Sequence, residues 1–333
     1  MDALLWLIAG LVALIAGAEL VVRYGSLLAA RMGVPPMIIG LTIVSIGTSA
    51  PELAVGIDAM QRNAGSLAVG NIAGTNIANI MLILGLSAAV RAIPFGRRTR
   101  VLDLPGMAVV AVLVYLLAMD GELQFWEGIP LVAGAVLYTV LLGLWTRRET
   151  AARPVAVAGA GVVGGSEVLE EPDPVVRPNR WSSLWYLMVL IAGIVVIVAG
   201  ADWLVTGAVS LARAVGVSDA FIGLTIVAIG TSAPELVTTI VSTLRGDRDI
   251  AVGNLIGSSV FNLTLILGLP VLVANGSGPI DPHLIRVDLP IMVAVSLLCI
   301  PLFLTGRKLS RWEGIALVVG YVAYLTYVIT VRT

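Results

Sequence analysis

Six residues, Gly47-Thr48-Ser49-Ala50-Pro51-Glu52, recur letter for letter as Gly230-Thr231-Ser232-Ala233-Pro234-Glu235. Both copies lie inside long apolar runs, residues 37–57 and 220–241. A carboxylate, two hydroxyls and a proline are costly in hydrocarbon, where each polar group must find its partner within the protein. The chain must therefore fold so that both hexapeptides turn away from lipid toward something that satisfies them.

Composition shows that lipid is the right solvent to consider. The 333 residues are 58% hydrophobic and 12% charged, with a mean hydropathy of +1.00. Soluble domains carry roughly 25% charged residues. Ten apolar runs approach the ~20 residues of a spanning helix: 3–22, 36–60, 66–90, 102–119, 127–146, 184–205, 218–243, 249–274, 287–305 and 313–331. Alternation of period two is absent, which argues against a β-barrel. The expectation is an all-α membrane protein with ten transmembrane helices. Met1-Asp2 supplies no basic leader, so the first run reads as a retained helix.

The repeat extends well beyond the hexapeptide. At an offset of 183 residues, Ala16-Gly17-Ala18-Glu19 meets Ala199-Gly200-Ala201-Asp202, and Gly70-Asn71 meets Gly253-Asn254. With a slight drift, Asp103-Leu104-Pro105 meets Asp288-Leu289-Pro290. The chain thus reads as two five-helix halves, residues 1–146 and 184–333, joined by a linker at 147–183. Five is odd, so the second half must enter the membrane inverted. Starting the first helix outside puts 16 of the 20 basic residues in cytoplasmic joints. By the positive-inside rule both termini then lie outside and the linker lies in the cytoplasm, across a cell's inner membrane. The linker's Glu167, Glu170, Glu171 and Asp173 lack the spacing of a calcium loop and read as solvated charge. Inverted repeats with interrupted helices mark secondary transporters.

On a helix, Ser45, Thr48, Ser49 and Glu52 share one stripe, as do Ala228, Thr231, Ser232 and Glu235. Pro51 and Pro234 cannot donate to the carbonyls of Gly47 and Gly230, which are expected to be released. A second stripe follows in each half: Asn71, Thr75 and Asn79, then Asn254, Ser258 and Asn262. Every candidate ligand is an oxygen. The one histidine, His283, and the one cysteine, Cys299, lie elsewhere. Such a set favours Ca²⁺ or Na⁺ over zinc or copper. Two ionised glutamates balance one Ca²⁺, and without it they need protons or replacement cations, which is a physical basis for exchange.

These paired motifs and the Gly-Asn-x-x-Gly-Ser/Thr stretches resemble the Ca²⁺/cation antiporter superfamily, specifically its sodium/calcium exchanger branch. The resemblance covers the whole chain. It implies Glu52 and Glu235 as central Ca²⁺ ligands, with Thr48 and Thr231 lending oxygens. It also implies flanking Na⁺ positions lined by Ser49, Ser232, Thr75, Ser258 and the carbonyls near Ser45 and Ala228. Asn79 matches the family's first-repeat amide. Asn262 stands where potassium-dependent relatives carry Asp, so K⁺ co-transport is not expected. The family's three Na⁺ per Ca²⁺ would put +3 against two carboxylates, and stoichiometry stays open.

Other carboxylates have simpler readings. Glu19 and Asp202 read as solvated at the interface, Asp103 and Asp288 as helix caps, and Glu127 and Glu313 as interface anchors beside tryptophan. A proton/calcium antiporter of the same fold is the nearest rival, although its usual Gly-Asn-Ala-x-Glu pattern is absent; a cation channel is more distant. No nucleophile–base pair or catalytic Asp pair lies within the spans, so an enzyme is not expected. No cofactor or nucleic-acid partner is expected either, and the sequence says nothing of oligomeric state.

Overall fold

The computed structural model describes residues 2–152, 180–214, 228–274, 279–306 and 308–332. Most of the expected linker, and residues 218–227 of the seventh expected span, lie outside the described residues. What is described is almost wholly helical. Among the described residues, eight helices are long and apolar enough to cross a membrane, nine if a bent pair is one span. The chain is a multi-pass membrane protein.

Helix α1 (Asp2–Met32) and helix α7 (Arg180–Ala214) are the longest and pack along one another. Glycine makes this approach feasible: a Cβ on Gly10 would sit 2.4 Å from the Leu204 amide nitrogen, and one on Gly200 2.8 Å from that of Leu14. Where lipid offers no hydrophobic drive between helices, such backbone contact supplies the association. Both helices run well past the 20–22 residues expected of them, because each continues beyond the apolar core. Glu19, within the expected span of α1, is part-exposed as a solvated carboxylate would be and is also paired with Arg245.

The bent pair is α2 (Pro36–Thr48) and α3 (Ala50–Gln61), followed by α4 (Gly65–Val90), α5 (Thr99–Asp120) and α6 (Phe125–Ala152). In the second half come α8 (Ala228–Thr231), α9 (Ala233–Arg245), α10 (Asp249–Val273), α11 (Leu284–Pro301) and α12 (Arg311–Arg332).

Two sets of joints mark the two ends of the bundle. At one end, the α4–α5 and α11–α12 joints form a short antiparallel pair, β1 (Ile93–Pro94) with β2 (Lys308–Leu309). At the other, Ser66 Oγ donates to the Pro279 carbonyl at 3.1 Å, and the Ile280 amide donates to the Gly121 carbonyl at 2.8 Å.

Asp103 and Asp288 are not caps. The helix continues N-terminally of each through a wide π turn, Thr99–Asp103 and Leu284–Asp288. Both aspartates are buried and accept a tyrosine hydroxyl, from Tyr138 at 3.1 Å and Tyr324 at 2.8 Å. Their partners lie some 35 residues downstream, beyond the reach of local sequence logic. Glu127 and Glu313 do sit at helix starts beside exposed Trp126 and Trp312. Each also accepts an amide three residues earlier, from Gln124 and Ser310, both at 2.7 Å, as capping-box glutamates do.

Candidate functional site

The first hexapeptide breaks its span. Helix α2 stops at Thr48, Ser49 takes φ −85° and ψ 11°, and α3 restarts at Ala50, bent by 43°. Pro51, at the second position of the restarted helix, has no N–H to give and so costs nothing there. Ser232 takes φ −86° and ψ 4° between α8 and α9. In each copy the glutamate falls in the first turn after the break, where the helix's positive end faces a carboxylate. One expectation changes: the Gly47 carbonyl accepts a backbone N–H at the break, so Pro51 does not leave it bare.

The breaks bring the two copies together. Glu52 and Glu235 are fully buried and close enough to repel one another. Ser49 Oγ donates to Glu235 Oε1 at 3.3 Å, and Thr48 lies beside the same carboxylate. The Thr48 hydroxyl also donates to Asn254 Oδ1 at 3.3 Å. Ser45 Oγ bonds the carbonyls of Gly40 at 2.6 Å and Asn254 at 2.9 Å, tying α2 to α10.

Many of the remaining atoms have nothing to bond. Both oxygens of Glu52, Oε2 of Glu235, both amide atoms of Asn79 and Asn262, and the hydroxyls of Ser232 and Ser258 lack a hydrogen-bond partner among the described residues. All are buried. Leaving one such group unsatisfied costs about 1–3 kcal/mol. Buried carboxylate, amide and hydroxyl oxygens without partners are the kind of set that a hard cation can satisfy. Ala228 begins α8, in the second broken stretch.

Two features escaped the sequence. Wide π turns flank the site: Gly40–Val44 before the first hexapeptide, Ala78–Leu84 holding Asn79, and Asn262–Ile266 opening on Asn262. Such turns favour functional sites, and they shift side-chain register in a way that four-residue spacing does not foresee. Asn76 is also fully buried, with Oδ1 unpartnered and Nδ2 on the Ile72 carbonyl at 2.8 Å.

A cleft of about 440 Å³ runs from Ser66 and Asp281 past Asn71 and Gly74 to Thr75 and Thr231. Toward the β1–β2 end the backbones of α10 and α2 close tightly: a Cβ on Gly257 would lie 2.7 Å from the Leu41 carbonyl oxygen. Thr48 is buried there, whereas its copy Thr231 lines the cleft.

Residues 3–144 and 185–330 match the family described as sodium/calcium exchanger protein. The chain belongs to that family. Among relatives of this exchanger-family chain, the putative antiporter CaxA of Alkalimonas amylolytica is 35% identical over 97% of both chains. The sodium/calcium exchanger MaX1 of Methanosarcina acetivorans is 32% identical over 96% of each. The solved sodium/calcium exchanger from Methanococcus jannaschii superposes with a TM-score of 0.78 at 26% identity, covering 98% of both chains.

Proposed function

We propose that this family member is a secondary antiporter that exchanges Ca²⁺ for Na⁺ by alternating access, across a cell's inner membrane. The observation that carries the reading is the meeting of the two hexapeptides, with Glu52 and Glu235 fully buried and several of their oxygens unpartnered among the described residues, beside a cleft that reaches Thr231. Glu52 and Glu235 hold the Ca²⁺, with Thr48 and Thr231 lending oxygens. Ser49, Ser232, Thr75, Ser258, Asn79, Asn262 and the main chain near Ser45 and Ala228 complete the cation positions. Two like charges in a dry site cannot stand alone, so release of one cation species demands its replacement by another. That requirement converts a binding site into an exchanger.

The two halves act as inverted repeats, so an opening at one end implies an equivalent opening at the other when the repeats trade conformations. The joining of equivalent pairs of loops at each end, β1 with β2 and Ile280 with Gly121, supports that arrangement. The basic residues place the β1–β2 end in the cytoplasm and the cleft outside.

Proton coupling is the second reading, since two carboxylates can carry two protons as readily as two Na⁺. One experiment separates these. Uptake of ⁴⁵Ca²⁺ into proteoliposomes is followed under an outward gradient of Na⁺, K⁺ or H⁺. Uptake driven by Na⁺ alone is expected. Uptake driven by H⁺ and indifferent to Na⁺ selects the second reading, and flux that needs no counter-gradient defeats both.

A further inference from the structure

The repeat pairs three cleft-lining residues with buried polar counterparts toward the β1–β2 end. Val55, Asn71 and Thr75 line the cleft. Their copies at the 183-residue offset are Thr238, Asn254 and Ser258. All three copies are fully buried, and Thr238 Oγ1, Asn254 Nδ2 and Ser258 Oγ have no hydrogen-bond partner among the described residues. Polar groups lodged unsatisfied in a closed seam are costly to the closed state and become satisfied once water or a cation enters.

The same correspondence reaches a buried charge pair outside the cation site. Asp288 and Tyr324 line the cleft, hydrogen-bonded to each other, with His283 Nδ1 3.9 Å from Asp288 and a third of its side chain exposed. The copies of His283, Asp288 and Tyr324 are Arg98, Asp103 and Tyr138. There the aspartate–tyrosine bond is kept, but Arg98 is buried against Asp103 at 3.5 Å, and Phe261 packs edge-on to Tyr138 at 5.9 Å between ring centres. The copy of Phe261 on the cleft side is Ala78, which leaves that wall open.

We propose that Arg98, Asp103, Tyr138 and Phe261 form the gate of a second half-path, lined by Thr238, Asn254 and Ser258, that joins the cation site to the β1–β2 end. Closed, the gate neutralises Asp103 with Arg98 and stoppers the path with Phe261. Open, Arg98 swings to solvent, as its copy His283 is now part-exposed beside Asp288. Asp103 then faces the path as the first carboxylate that a hydrated Na⁺ or Ca²⁺ meets. This deepens the antiport reading and rests on it.

The test places a single cysteine at Thr238 in a Cys299→Ser background and applies an impermeant thiol reagent to each face, using intact cells and inside-out vesicles. Labelling is expected from the β1–β2 face alone, under conditions of turnover. Arg98→Gln should speed it about tenfold, because breaking a buried pair destabilises the closed gate, and Arg98→Lys should restore the slow rate. A second cysteine, at Asn71, should label from the cleft face and show no such acceleration. Labelling of Thr238→Cys through the cleft face, or a rate indifferent to Arg98→Gln in a variant that still transports, overturns the gate. Calcium exchange measured on the same vesicles keeps the two ideas apart. Exchange without labelling from the β1–β2 face sinks the gate alone, whereas a parent that exchanges nothing sinks the antiport reading beneath it.

Discussion

Ser49 donates its hydroxyl hydrogen to Glu235 Oε1 across 3.3 Å, so a residue of the first hexapeptide bonds the carboxylate of the second. Residues 186 positions apart are thereby joined, and the proposed cation site draws on both halves. Removing the donor leaves Glu235 less well held. Ser49→Ala should weaken Ca²⁺ affinity by about 1 kcal/mol, roughly fivefold. Its copy, Ser232, has no hydrogen-bond partner among the described residues. Ser232→Ala should therefore leave the melting temperature of ion-free protein unchanged or raised while also weakening Na⁺ binding. Isothermal titration and thermal melting of both variants check the pair, and equal destabilisation of the ion-free protein would contradict it.

Glu52→Gln and Glu235→Gln each conserve shape and remove half of the site's negative charge. Each should abolish Na⁺-driven Ca²⁺ uptake, leaving no more than about a hundredth of the parent rate, since a divalent ion would be left under-compensated in a dry site. The isosteric amides should keep the fold, as size-exclusion profiles and melting curves will show. Near-normal uptake by either well-folded variant would remove its glutamate from the site.

Orientation follows from the joints. Ser66 stands at the cleft mouth and Lys308 is exposed on β2 at the other end. In a Cys299→Ser background, Ser66→Cys should label with an impermeant thiol reagent on intact cells and Lys308→Cys should label only in inside-out vesicles. The reverse pattern would put the cleft in the cytoplasm.

The broken span at Pro51, the burial of both glutamates and the approach of the two hexapeptides were all legible in the sequence. Each follows from local rules: proline lacks a donor, carboxylates avoid lipid, and identical motifs in two halves invite a shared site. What was not legible depends on distant partners. The aspartates at 103 and 288 read as caps because a Leu-Pro pair follows each, whereas tyrosines about 35 residues away determine their role. The π turns at Asn79 and Asn262 insert an extra residue into a helical turn at positions no composition rule marks. Span lengths fell short at α1 and α7 because helical hydrogen bonding continues past the apolar runs into residues that hydropathy does not mark.

Asn262 bears most directly on the coupling ion. It is fully buried, opens a π turn, and neither amide atom has a partner among the described residues. An orphaned amide costs about 1–3 kcal/mol unless the site's guest repays it, so Asn262 is expected to face the cation. With amides at both Asn79 and Asn262, Glu52 and Glu235 are the carboxylates that protons can contest. Acid should then weaken Ca²⁺ and Na⁺ binding together in the parent, and K⁺ should have no effect. Asn262→Asp adds a third carboxylate beside the first two, which raises the charge to be compensated and gives protons one more group to occupy. Acid inhibition should strengthen, and the added charge should admit K⁺ dependence. Initial rates of Na⁺-driven Ca²⁺ uptake, measured across a pH series with and without K⁺, compare the two proteins. A parent that already requires K⁺, or an active Asn262→Asp variant with the parent's pH profile, would show that position 262 does not touch the transported ions.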